Sequence, residues 1–409
     1  MTKNKLKIII LLTFLSKLTF VLFFHEKNLT HEWSILFNNF QEYNSYSYYI
    51  FNGKHIPSSY MPPLYFIFLY LNKILSMNLI NFLYLVFFNQ VLLSTLSVYF
   101  FYKICKNFFN DNISLIGTLV FSLFPLMIYS NGLVSSATLQ LFLYLLFFNS
   151  YLVFLDGKVD LKGILILSII CSLNLILRGE FIIIFFFSIF YFILINRKKA
   201  LSGILVLILS VSLISPYILR NFDNTNKLHI VNSSGYALWK GNNPLAKVEG
   251  FHNPLHPDAR TNWPNIIEFE SLYNQLDKIE KNEMYEIERD QTFKREAFKN
   301  ITSNKIKYLK LYIKKIFSFY LIDLESSLKN YYNIIHIIPI LIFGIMSVPG
   351  VIIAFKKNNY KIKYLILMTL ILIFFISVFF ILPRYKISII SFQILFSMFY
   401  LEYLKKTKI

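Results

Sequence analysis

The sequence predicts an all-α polytopic membrane protein with about ten transmembrane helices and a small, mostly helical extracytoplasmic domain. Composition and charge placement carry that prediction. Of 409 residues, 56% are hydrophobic and 18% aromatic, and the mean hydropathy is +0.53. Charged residues make up 15%, against roughly 25% in ordinary soluble domains. The formal net charge of +19 is explained by lysines that flank apolar runs, so it does not imply a nucleic-acid partner. The partner it implies is the bilayer.

The first span, 6–24, follows Lys3, Lys5 and Lys7. No small-x-small cleavage site comes after it, so it reads as a retained anchor and not a signal peptide. Further spans are expected at 80–102, 112–130, 135–155, 162–177, 181–196, 201–219, 333–355, 364–382 and 387–403. With the first lysines inside, odd spans run outward and even spans inward. Every inside joint is then basic: Lys103 and Lys106, Lys158 and Lys162, Arg197 to Lys199, Lys356 to Lys363, and Lys405 to Lys408. That agreement follows the positive-inside bias. It divides the chain into a transmembrane module, 1–220, with an outer loop at 25–79; an extracytoplasmic domain and juxtamembrane helix, 221–332; and C-terminal spans, 333–409.

Three of the seven arginines, Arg178, Arg220 and Arg384, fall at the outer ends of spans remote in sequence. Arginine presents a planar fork suited to phosphate, which lysine lacks. Snorkelling to the head-group level is the plainer alternative. The segment from 221 to 333 holds 14 of the 22 acids, which marks it as water-facing. Of the other eight, only Glu26, Glu32, Glu42 and Glu180 fall on the outer side. QEYNSYSYYIFNG, 41–53, reads as an aromatic helix ending at Gly53, with Glu42, Tyr46 and Tyr49 on one face. A carboxylate there suits a general base, or is simply a surface acid. Pro62 and Pro63 suit the start of a following helix that is too short to span. Cys105 and Cys171 imply no disulfide. His25, His31, His55, His229, His252, His256 and His336 show no metal-ligand spacing.

Several stretches resemble the GT-C membrane glycosyltransferases of the bacterial protein O-mannosyltransferase and aminoarabinose-transferase kind (glycosyltransferase family 39-like). The most specific is ISPYILRNFDNTNKLHIVNSSGYALWKGNNP, 214–244. Its Pro216, Tyr217, Arg220 and Asn221, then Ser234, Gly235, Tyr236, Gly241, Asn242, Asn243 and Pro244, fit the family's pattern. The 41–53 loop with MPPLY, the LRGE turn, the run 288–320 and LPRYK, 382–386, are similar to further family elements in the same order.

The resemblance implies an inverting transferase. It would move a sugar from a polyprenyl-phosphate donor to a lipid, glycan or protein acceptor at the outer face of the bacterial cytoplasmic membrane. The family's base is usually an aspartate, and this first loop has none; alignment on Tyr43 and Gly53 leaves Glu42, with Glu32 and Glu180 as alternatives. Arg178, Arg384, Arg220 and Lys386 would bind the donor phosphate. Tyr46, Tyr60, Tyr236, Trp239 and Asn242 would line the pocket. No cofactor or protein metal site is expected, and a divalent metal requirement is left open. A lipid-linked sugar flippase and a polysaccharide polymerase or ligase are the other classes considered.

Overall fold

The computed structural model describes residues 2–29, 31–77, 79–157, 160–251 and 267–407, so His252, His256 and Lys158 lie outside the described residues. The chain is predominantly helical. Among the described residues, six helices are long and apolar enough to cross a membrane: α1 (Thr2–Phe23), α4 (Phe82–Lys106), α7 (Ala137–Phe154), α10 (Ala200–Thr225), α15 (Ile334–Lys356) and α17 (Ile387–Thr407). The remaining apolar segments are shorter or broken. The run expected at 112–130 divides into α5 (Asp111–Ser122) and α6 (Pro125–Tyr129), with a 52° bend at the break before Pro125. Proline there has no N–H to continue the ladder. Helices α8 (Leu161–Leu175) and α9 (Phe181–Ile195) have 15 residues each, or about 22 Å at 1.5 Å per residue, short of the ~30 Å core. Helix α16 (Tyr360–Ile376) has 17.

Local chemistry sets where these helices begin. Asn81, Asn110, Asp160, Asn333 and Asn359 each stand before a helix, and each side chain accepts a first-turn backbone N–H. Such caps contribute about 1 kcal/mol apiece. Apolar side chains gain little by leaving lipid for another helix, so packing and interhelical hydrogen bonds must hold the bundle. Ser172 Oγ donates to Ser210 O across α8 and α10 at 3.0 Å. Tyr151 and Tyr364 meet at 4.5 Å, and Phe148 meets Phe392 edge-on at 4.9 Å. Helices α15 and α17 approach so closely that a Cβ on Gly350 would lie 2.0 Å from Phe396 O.

The first loop departs from expectation. Helix α2 (His31–Tyr43) stops early, Asn44 takes a left-handed φ of 52°, and a hairpin replaces the predicted helix. Strands β1 (Ser47–Phe51) and β2 (Lys54–Pro57) pair antiparallel, with Phe51 opposite Lys54. Asn52 and Gly53 form the turn, at φ 50° and 76°. Asn-Gly favours that turn, and the Tyr-Tyr-Ile-Phe run favours a strand. The expected shared face of Glu42, Tyr46 and Tyr49 therefore does not exist. The two prolines do start a helix, α3 (Pro63–Leu75). Leu64 N donates to Ile176 O at 3.0 Å, so this start rests on the end of α8, just before the LRGE turn.

Beyond α10 come α11 (Ser234–Gly241), α12 (Glu270–Asp277), α13 (Tyr285–Ser303) and α14 (Lys305–Tyr320). Trp239, Phe269, Leu272, Phe293 and Ala297 give this segment an apolar cluster of its own. A buried polar latch joins it to the hairpin and the residues just after it. Glu286 accepts Ser58 Oγ and Ser59 N at 3.1 Å each, and Arg289 donates to the Tyr49 hydroxyl at 2.6 Å.

Helix ends gather into two groups. At one end, Lys361 reaches Asn107 and Asp156, Lys357 reaches Glu402, and Lys199 donates to Gly157 O. At the other, residues 60–62 after the hairpin and residues within 228–240 help to line a cavity.

A cavity lined by acids and cations at the hairpin end

The cavity has a volume of about 990 Å³. Its polar wall comes from α2 (Glu32), the segment after the hairpin (Tyr60), α7 (Gln140), the LRGE turn (Arg178 and Glu180), α11 (Tyr236 and Lys240) and the turn before α17 (Arg384). Val211, Ile218 and Leu219 of α10, with Phe375, Ile376 and Phe379 at the end of α16, make an apolar wall. Such a mixture, mostly apolar with a few convergent polar groups, is typical of small-molecule sites.

Arg178 and Glu180 are held by each other and by Gln140. Arg178 Nε lies 3.2 Å from Glu180 Oε1 and 3.1 Å from Gln140 Oε1, and Gln140 Nε2 donates to Glu180 at 3.2 Å. Burying either charge alone would be costly; as a pair bridged by an amide they are compensated. Tyr385 presents its ring to both arginines, 5.5 Å from Arg178 Cζ and 6.0 Å from Arg384 Cζ. Arg384 lines the cavity, is exposed, and makes no hydrogen bond or ion pair among the described residues, so its donors are left for solvent or a ligand. Glu32 likewise makes no hydrogen bond among them.

Close backbone approach sets Lys240 in place. Asp290 of α13 accepts Gly235 N and Tyr236 N at 2.9 Å each, capping α11. A Cβ on Gly235 would stand 2.0 Å from Asp290 O, and one on Gly241 would stand 2.6 Å from Phe379 C. The two glycines thus let α11 wedge between α13 and the end of α16. Tyr236 and Lys240, one turn apart, both reach the cavity, and the Lys240 ammonium sits 4.6 Å from the Phe380 ring centre. Burial holds the Lys240 ammonium below the usual lysine range; Glu32 opposes that shift and Arg384 adds to it.

The sequence-derived candidates divide sharply. Glu32, Glu180, Arg178, Arg384, Tyr60 and Tyr236 line the cavity. Glu42 lies exposed near the end of α2, outside it. Arg220 spends its fork on Ser58 O, Asn221 Oδ1 and Tyr46 O, so it braces the hairpin from α10. Tyr46 donates to Met61 O at 2.9 Å. Lys386 is buried and donates to the carbonyls of Ser318, Phe319 and Leu321 at the end of α14. Trp239 packs in the cluster behind α11. Asn242 ties α11 to α16 through Leu238 O and Val378 O. These last five hold the walls and do not line the cavity. Sequence reasoning passed over Lys240, Gln140 and His229; the i, i+4 spacing of Tyr236 and Lys240 was the available signal. Among the described residues, no three His, Cys, Asp or Glu side chains converge as metal ligands.

No protein-family model matches the chain, and no curated protein matches it.

Proposed function

We propose that this chain is an inverting membrane glycosyltransferase that takes a sugar from a polyprenyl-phosphate donor at the extracytoplasmic face. The observation that carries the reading is the meeting of Glu32 with Arg178, Arg384 and Lys240 in one cavity, against an apolar wall. In this reading Glu32, not Glu42, is the base. An acceptor hydroxyl is a poor nucleophile, and a carboxylate within hydrogen-bond reach takes its proton as it attacks the anomeric carbon. The lipid phosphate leaves from the opposite side, carrying the bond electrons. Arg178, Arg384 and Lys240 stabilise the charge that develops on its oxygens, in a site whose donors are already in place. The apolar wall suits the first isoprenoid units of the carrier.

Glu26 is a weaker choice, because Val134 N donates to its carboxylate at 2.6 Å. Glu180 is already paired with Arg178.

The direct test is a transfer assay on the reconstituted chain with a polyprenyl monophosphate sugar and, separately, a diphosphate one. Transfer from the monophosphate alone is expected; transfer only from the diphosphate would move the chain to the polymerase or ligase class. The membrane orientation has its own test. Reporter fusions at Lys240 and Lys357 should give opposite signals, and equal signals would overturn it.

A further inference from the structure

Helix α14 carries a surface that the cavity does not use. Ile306, Leu309, Ile313 and Phe317 recur along one face and are 70%, 59%, 44% and 65% exposed. Lys307, Lys310 and Lys314 run along one edge of that stripe, and Lys305 stands on its other side at the helix start. The opposite face, with Tyr308, Lys315, Ser318 and Phe319, is buried. An apolar stripe edged by lysines on a short helix is the pattern of a helix lying in a lipid–water interface.

Neighbouring contacts fix where this face points. Tyr312 donates to Phe374 O of α16 at 2.9 Å, and Lys315 donates to Gly241 O at 2.7 Å. The Lys386 ammonium gathers three carbonyls at the end of α14. Helix α14 is therefore anchored beside the end of α16, where Phe374 and, just past the helix, Val378 are also exposed. Two lysines are already engaged: Lys307 with Pro244 O at 2.8 Å, and Lys314 with the exposed Glu325 at 2.7 Å. Lys305 and Lys310 make no hydrogen bond or ion pair among the described residues.

We propose that α14 is seated on the membrane surface by anionic lipid head groups, its apolar stripe among the acyl chains and Lys305 and Lys310 against lipid phosphates. The occupant follows from charge: cations flanking an apolar stripe match an anionic leaflet, whereas a neutral one offers only the apolar part. Each lysine near an anionic surface shifts such seating by a factor of roughly five. This inference does not depend on the proposed reaction.

A nitroxide at Ile313→Cys in the full chain tests it, since Cys105 and Cys171 are buried. The labelled protein is placed in nanodiscs of phosphatidylcholine alone, or with phosphatidylglycerol added, and its access to oxygen and to a water-soluble nickel chelate is compared. With phosphatidylglycerol, the label should be reached by oxygen and shielded from nickel. Replacing Lys305 and Lys310 with Gln should remove most of that difference, and replacing both with Arg should restore it. Nickel access in both discs would mean that the face stands in water and not in lipid, and equal depth in both would remove the anionic lipid. Either result overturns the proposal.

Discussion

The two ends of the helical bundle carry charge in different ways. At the end where Lys361, Lys357 and Lys199 gather, connections are short and the charges, partly covered to exposed, pair with one another. Lys361 pairs with Asp156 at 2.8 Å, and Glu402 is shared by Lys357 and Lys406 at 3.1 Å each. Pairs of this kind contribute 0–1 kcal/mol. At the hairpin end, the connections are long enough to build walls, and they enclose the cations with aromatic rings and two carboxylates. Lysine is a strongly hydrated point charge, whereas arginine carries a planar fork, and at the hairpin end the Tyr385 ring faces two such forks, those of Arg178 and Arg384. Basic residues are thus paired across short connections at one end and gathered around a cavity at the other.

The comparison breaks most visibly at Glu32. Under the proposed reaction, Glu32→Gln should lower turnover at least about a hundredfold, the low end of general-base contributions, while exposed Glu42→Gln stays near the parent rate. Steady-state transfer by both variants checks this, and the reverse pattern would return the base to Glu42. Next come the arginines. Arg178→Lys and Arg384→Lys keep the charge and lose the fork, so each should cost roughly ten- to hundredfold in transfer. Full activity in both would reduce the arginines to membrane anchors.

The hairpin end should also respond to pH near neutrality. Burial pushes the Glu286 carboxyl up to about 7, against the hydrogen bonds from Ser59 and Ser58 and the nearby arginines. The folded chain therefore keeps a proton that the unfolded chain releases, and stability falls as pH rises from the ordinary glutamate range through about 7. Glu286→Gln should flatten that dependence, melting close to the parent at about pH 5 and above it at about pH 8. Thermal unfolding in detergent at both pH values reads the effect, and a parent whose stability rises across the window would refute it. The smallest change is expected at the other end: Lys361→Gln should alter stability by no more than about 1 kcal/mol, measured by the same melts. A larger loss would mean that end is also a built site.

Much of the helical architecture is legible because apolar length, basic joints and caps are local properties. Asn81, Asn110 and Asn333 each announce a helix a residue or so ahead, and Pro125 announces a break. The hairpin was legible too, in Asn52-Gly53 after Tyr-Tyr-Ile-Phe, but the i, i+4, i+7 spacing of Glu42, Tyr46 and Tyr49 competed with it. The left-handed turn at Asn44 decided against the helix. For the cavity, the sequence nominated Arg178, Arg384, Glu32, Glu180, Tyr60 and Tyr236, because each falls at an expected span end or in a segment between expected spans on one side of the topology that the basic joints predict.

What the sequence by itself determined is the helical membrane character, the alternation of basic joints and the short set of polar residues available to the hairpin end. Tertiary structure alone decided which of them meet. Arg220 and Arg384 are the same residue type and both are expected at span ends, yet one is used up on the carbonyls of Ser58 and Tyr46 while the other lines the cavity. Glu32 and Glu42 lie on one helix, ten residues apart, and only Glu32 reaches the cavity. Lys240 gains its position from two glycines that admit α11 between α13 and α16. A side chain's direction depends on the phase and tilt of its helix against neighbours distant in sequence, and no local pattern encodes that.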